Sequence, residues 1–266
     1  MAYKDSYPGI DFEIKGRIAY LRFNNPATLN ALSYTVFQSI NDIFDELKKD
    51  RKVWGVILTG EGRSFIAGAD LKDMPAFDYF RAEGCRDDRV YIHDTFNKIA
   101  NYERPTIAAI NGFALGGGAE LAMCCDIRIA SSKAKVGFPE VRLGGIPGYT
   151  GPSRAVKILG VAVAKEMLFT GRHYTADEAL FRRFVTEVVE PEQLMARAEE
   201  IMNEIHERSP VAVKFGKIMC DRCAEMSYEA SLEYERMICA ILPDSEDYAE
   251  GMAAFHEKRK PTFHNN

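Results

Sequence analysis

The chain has 266 residues, 47% of them hydrophobic, enough to bury one large core with or without an appended segment. Its 34 basic and 39 acidic residues leave a net charge of -5, which argues against general affinity for nucleic acid or an anionic membrane, so an anionic ligand must be held by local positive charge. The start "MAYKDSYPGIDFEIKG" carries acids and no apolar signal core, and no run of about 18 apolar residues occurs anywhere, so the expectation is a cytoplasmic protein that spans no membrane.

In chain order, "RIAYLRF" from Arg17 is the first strand-like run, rich in Ile, Leu and aromatics. A helix follows: Val36, Phe37, Ile40, Ile43, Phe44 and Leu47 keep helical spacing, Ser33 suits the N-cap, and Lys48 and Lys49 suit the negative C-terminal end. "VWGVILTG" from Val53 reads as a second strand, and "FIAGAD" at 65–70 is a loop of small residues at a strand end. The charged segment "PAFDYFRAEGCRDDRVYIHDTF", 75–96, reads as an exposed face that could wall a site. "PTIAAING" and "CDIRIA" complete the strand-like set, and strands alternating with helices predict an α/β core. Beyond Pro152 the pattern is mostly helical: "TADE" at 175–178 is a capping box, Pro191 suits a first turn, Ser209 and Pro210 read as N-cap and N1, and Leu194, Ala198, Ile201 and Ile205 mark an amphipathic helix. The expected division is a mixed core over 1–200 and a helical region over 201–266.

Six cysteines in a chain of this length read as reduced thiols, and Cys220 and Cys223 as core or partly buried thiols one helical turn apart. His93 and His173 stand isolated, without a nucleophile elbow or metal-ligand pair, so no metal site is expected.

The chemistry concentrates in "AAINGFALGGGAELAMCCDIRIA", 108–130. Three successive glycines cost up to about 1 kcal/mol each in a helix relative to Ala, so they serve close approach of backbone. "AELAMCC" after them is a good helix former, which places the N–H groups of Gly116 to Gly118 at a helix start, open to an oxyanion or phosphate; tight packing is the competing reading. Bare amides in "FIAGAD" could aim a second donor at the same oxygen. Glu120 sits in the first turn beyond the glycines, and Glu140 twenty positions on, in "FPEVRLGGIPG", where Pro139 and the glycines predict a shaped loop.

These stretches together, with "RSFIAGADLKDM", the opening "IAYLRFNNPATLNALS" and the closing "EGMAAFHEKRKPTF", resemble the enoyl-CoA hydratase (crotonase) family over nearly the whole chain. The resemblance implies an α/β fold, a crotonase-like spiral of ββα units with a helical C-terminal trimerisation region, giving a homotrimer or homohexamer. It implies hydration of 2-enoyl-CoA thioesters, with Glu120 activating water, Glu140 protonating C2, and the amides of Ala69 and Gly117 forming the oxyanion hole. Gly148 matches a glycine that opens a helix and helps place water; Ala67, Asp70 and Lys72 match positions near CoA; Phe255 and Lys258 match C-terminal residues that reach it. No metal or cofactor is implied, CoA entering as part of the substrate. Nucleic acid and membrane are not expected partners.

Two departures bear on the acyl group. "YTGPS" at 149–153 stands where hydratases usually have small residues, so Tyr149 and Thr150 add bulk, and Phe138 adds an apolar ring beside Glu140. On the same scaffold the alternatives are a dehydratase or a double-bond isomerase, which usually manages with one glutamate, acting on a functionalised or cyclic acyl-CoA, and, less favoured, an acyl-CoA hydrolase or a noncatalytic acyl-CoA-binding protein.

Overall fold

The strand-like runs fold as parallel strands because their residues are buried on both faces. Gly55–Gly60 (β3) and Thr106–Ile110 (β5) are buried at every position. The structure, a computed structural model, describes residues 3–73 and 82–264. The first unit comprises 1–102 and 106–199, the second 103–105 and 200–266.

In the first unit Ile10–Lys15 (β1) and Ile18–Phe23 (β2) form an antiparallel hairpin, and β2 pairs in parallel with β3. The larger sheet runs β1-β2-β3-β5-β7-β10, with β7 Ile127–Ser131 and β10 Glu187–Val189. A second sheet runs β4-β6-β8-β9, from Ser64–Ile66 (β4), Phe113–Leu115 (β6), Lys135–Gly137 (β8) and Tyr174–Thr175 (β9). Each of β3, β5 and β7 is thus followed by a short strand in the other sheet and then by helical structure, which makes the path a spiral of ββα turns. The sequence reading missed these strands, because two or three residues are too few to show an alternating period.

Tyr34–Lys49 (α1) buries the six predicted apolar residues, and the Ser33 hydroxyl accepts from Val36 N–H at 3.3 Å. Ala82–Ala100 (α2) buries Ile92, Phe96 and Ile99 in the same core. The expected charged wall is therefore helical from Ala82 onward; residues 74–81 lie outside the described residues. Gly117–Ala122 (α3) is shorter than the helix-forming run suggested. Cys124 and Cys125 N–H groups bond back three residues to Leu121 and Ala122, tightening the turn ahead of β7.

Gly151–Leu159 (α4), Val161–Thr170 (α5) and Ala176–Phe181 (α6) follow, and Thr175 and Glu178 form the predicted capping box. Pro191 opens a 3-10 turn ahead of Leu194–His206 (α7), within which the first unit ends. Pro210–Cys223 (α8), Tyr228–Ile241 (α9) and Glu246–Glu257 (α10) are N-capped by Ser209, Ser227 and Ser245. Here the buried Asp247 accepts from the Ser209 hydroxyl at 2.8 Å and His264 N–H at 3.1 Å. Cys220 is exposed on α8 and Cys223 half-buried, so the former is not the buried thiol expected. Among the described residues no helix is long and apolar enough to cross a membrane.

α3 lies against β4 so closely that a Cβ on Gly118 would stand 2.0 Å from the Ile66 carbonyl oxygen. A backbone carbonyl inside a sheet cannot swing aside as a flexible side chain can. Gly118→Ala is expected to destabilise the protein by about 3 kcal/mol, the upper part of the overpacking range; an unchanged midpoint in chemical denaturation would contradict this packing.

Candidate active site

The glycine run does what its composition allows. Gly116 takes φ +51 as N-cap of α3, and its N–H reaches the Gly137 carbonyl on β8 at 2.9 Å. A Cβ there would meet Glu140 Oε1 at 2.5 Å and Gly68 Cα at 3.8 Å. The glycine loop, the "FIAGAD" loop and Glu140 therefore converge, and only a residue without a side chain leaves room for all three.

Ala69 sits in an isolated parallel bridge with Leu32: Leu32 N–H donates to the Gly68 carbonyl at 2.8 Å, and Asp70 N–H to the Leu32 carbonyl at 2.9 Å. With residues 68 and 70 bonded to Leu32, the pleat turns the amide of Ala69 to the opposite side. Ala67 N–H bonds the Leu29 carbonyl at 3.1 Å, and the Asp70 carboxylate accepts from Lys72 N–H at 3.0 Å, leaving the Lys72 side chain exposed.

Glu120, 1% exposed, is held by the next loop: its Oε1 accepts from Tyr149 N–H at 2.8 Å and Gly151 N–H at 2.6 Å. Burial pushes its pKa up to about 8, with the charge of Glu140 adding to the rise and the two amide bonds and Arg89 opposing it. Glu140 is also raised, by burial, and its Oε2 has no hydrogen-bond partner among the described residues. The segment predicted as loop is a 3-10 turn, Pro139–Leu143, because Pro139 supplies the first-turn φ and Gly144 the left-handed C-cap. Phe138, its N-cap, is fully buried in the core cluster.

Gly148 does not open a helix. α4 begins at Gly151 with Thr150 as N-cap, and Gly148 presents its carbonyl to His93 Nε2 at 2.8 Å. His93 is thus not isolated. Tyr149 is 5% exposed, its ring edge-on to Phe37 and Phe96, with centroids 5.6 and 5.9 Å away. A Cβ built on Gly117 would come within 3.0 Å of both Tyr149 Cδ2 and Leu32 Cδ1, so the ring flanks the amide of Gly117.

Glu120, Glu140, Gly117, Ala69, Gly148 and Tyr149 therefore occupy one region of the first unit. Phe255 and Lys258 belong to the second unit, Phe255 exposed on α10 and Lys258 its left-handed C-cap. The two amides clamping Glu120 escaped sequence reasoning, since any non-proline residue offers an amide. Among the described residues no group of three or more His, Cys, Asp and Glu could hold a metal ion.

The family model described as enoyl-CoA hydratase/isomerase matches residues 13–266. A short-chain-enoyl-CoA hydratase of Clostridium acetobutylicum is 42% identical over 249 residues, 93% of this chain and 94% of that protein. A crotonyl-CoA hydratase of Syntrophomonas wolfei is 38% identical over 259 residues, 97% and 98% of the two chains. The crystal structure of an enoyl-CoA hydratase from Bacillus anthracis superposes with a TM-score of 0.91 at 33% identity, covering 97% of this chain and all of that one.

Glu120 carries more protons when folded than when unfolded between its ordinary value of 4.5 and about 8, so its contribution to stability is present at low pH and lost as pH rises through that window. Relative to Glu120→Gln, the wild-type protein is expected to lose stability between pH 5 and pH 8, read as the difference of two denaturation series. A constant difference would mean that the carboxyl is not raised. Glu140→Gln removes a like charge and is expected to lower the Glu120 midpoint, measured by infrared titration of the carboxyl band.

Proposed function

The chain belongs to the enoyl-CoA hydratase/isomerase family, and we propose that Ala69, Gly117, Glu120 and Glu140 surround the thioester of a 2-enoyl-CoA and add water across its C2–C3 double bond. The observation that carries this reading is the pair of carboxyls, Glu120 buried and Glu140 half-buried, both raised, converging on the glycine loop. Of two such carboxyls, one ionised can take a proton from water while the other, protonated, gives one to carbon.

As hydroxide adds at C3, charge accumulates on the thioester oxygen as an enolate. The amides of Ala69 and Gly117 face that oxygen, fixed in advance by the Leu32 bridge and by the turn at Gly116. Each such donor is worth about 2.7–4 kcal/mol where water is excluded. Glu120 takes the proton from water: its two amide donors and Arg89 favour the anion against the burial that raises its pKa, and a neutral Glu140 removes the like-charge part of that rise. Glu140 protonates C2: a half-buried carboxyl with one oxygen lacking a donor among the described residues favours the acid form. The enolate thus collapses to 3-hydroxyacyl-CoA, one proton having passed from water to Glu120 and another from Glu140 to C2. Dehydration is the same path reversed.

In this reading Ala67, Asp70 and Lys72 lie along the CoA nucleotide, Lys72 supplying the local positive charge that an acidic chain must provide, and Phe255 and Lys258 are the C-terminal residues that the family resemblance assigns to CoA. Tyr149, whose ring flanks the Gly117 amide, bounds the acyl space, favouring a short, cyclic or functionalised acyl group, and the relative named for short-chain substrates agrees with the first; Phe138 packs in the core instead. CoA is part of the substrate, no further cofactor takes part, and the enzyme works in the cytoplasm. The exposed Tyr228, Met237, Ile241 and Phe255 of the second unit support a trimer or hexamer.

Glu120→Gln and Glu140→Gln are each expected to lower crotonyl-CoA hydration by about 10²- to 10⁴-fold, followed by loss of the enoyl thioester absorbance, with acyl-CoA binding retained. Near-wild-type turnover in either variant would sink the paired mechanism. Against a panel of enoyl-CoA thioesters, products heavier by one water are expected by mass spectrometry; an unchanged mass with a moved double bond would make the protein an isomerase.

A further inference from the structure

Thr150 stands between the two residues whose amides hold Glu120, and its backbone is left-handed, at φ 84 and ψ 0. That conformation turns the N–H groups on either side of residue 150 toward a common point, where Glu120 Oε1 accepts both. Glycine adopts it freely, but in a β-branched residue it costs of order 1–3 kcal/mol and persists only when neighbouring contacts over-determine it.

Those contacts come from one face of α2. Arg154 Nε donates to Thr150 Oγ1 at 3.0 Å, and Arg154 Nη2 to Asn97 Oδ1 at 2.9 Å. One turn earlier, His93 Nε2 donates to the Gly148 carbonyl at 2.8 Å, since a carbonyl only accepts. One turn earlier again, the Arg89 guanidinium lies 5.0 Å from the centre of the Tyr149 ring. Residues 89, 93 and 97 follow one another at i, i+4 and i+8, so a single helical stripe grips the carbonyl before the clamp, the ring within it and, through Arg154, the strained residue at its centre.

We propose that His93 and Asn97 are positioning residues for Glu120: acting through the Gly148 carbonyl and Arg154, they hold residues 148–151 in the shape that presents two amides to its carboxyl. The inference rests on the hydratase reading for its kinetic part only, because the shape of the clamp can also be read on the substrate-free protein.

The test uses the full-length protein. Asn97→Ala and His93→Ala are each expected to lower kcat on crotonyl-CoA by about tenfold, the scale of a sub-ångström misplacement, with KM within about twofold. The Glu120 carboxyl band, identified by its loss in Glu120→Gln, is expected to titrate at higher pH in both variants, since the amide bonds that favour the anion slacken. Glu140 and Arg89, the charged groups acting on Glu120 across the site, are the same in every variant compared. In a Thr150→Gly background, where the left-handed turn needs no support, the effect of Asn97→Ala is expected to shrink to within about twofold. An equal cost in both backgrounds, or an unmoved band, would overturn the proposal and leave the stripe a packing feature. Should Asn97→Ala fail to fold, His93→Ala against His93→Gln decides by the same readouts: the amide of Gln keeps a donor for Gly148 and is expected to restore the wild-type midpoint, and no restoration would count against the proposal. If the wild type hydrates no enoyl-CoA, the function falls, while the band shift still decides whether the clamp is held from α2.

Discussion

Burying the carboxyl of Glu120 in the middle of the first unit is an expense that the surrounding chain must offset. An acid 1% exposed has lost its hydration, and among the described residues its bonds come from two backbone amides and not from a cation. Two backbone amides take the place of water, and they can do so only because the loop after Glu140 folds back over α3. That one constraint ties together β6, α3, the 3-10 turn at Pro139 and the start of α4.

The glycines serve the same end from the other side. Gly118 lets α3 lie on β4, and Gly116 leaves room for Glu140 beside the "FIAGAD" loop. Together they bring a second acid close enough for its charge to add to the raised pKa of the first. The fold's alternation between two sheets explains why this happens at one place: β4, β6 and β8 are adjacent strands, and the site loops leave their C-terminal ends side by side.

Chemistry and stability pull against each other here. A pair of raised acids and a non-glycine residue in left-handed backbone are features a protein selected for stability alone would lack. The aromatic box around Tyr149, built from Phe37 on α1 and Phe96 on α2, keeps the loop in place despite that. Bulk that the sequence suggested as a limit on the acyl group is therefore also part of what holds Glu120.

Periodicity, capping residues and the glycine run were legible in the amino acids themselves. The apolar stripe of α1, the Thr175 box and the buried strands each depend on neighbours a few residues away, and such local preferences survive in the folded chain. The short strands of the second sheet, the 3-10 turn around Glu140 and the shortened α3 were not legible, because tertiary pairing decides them against or without local propensity. The same holds for the clamp. Every residue but proline has an amide, and nothing in "YTGPS" says which carboxyl its amides will meet; only the packing of α2 and α4 around that loop brought Tyr149 and Gly151 to Glu120, across 29 and 31 positions of chain.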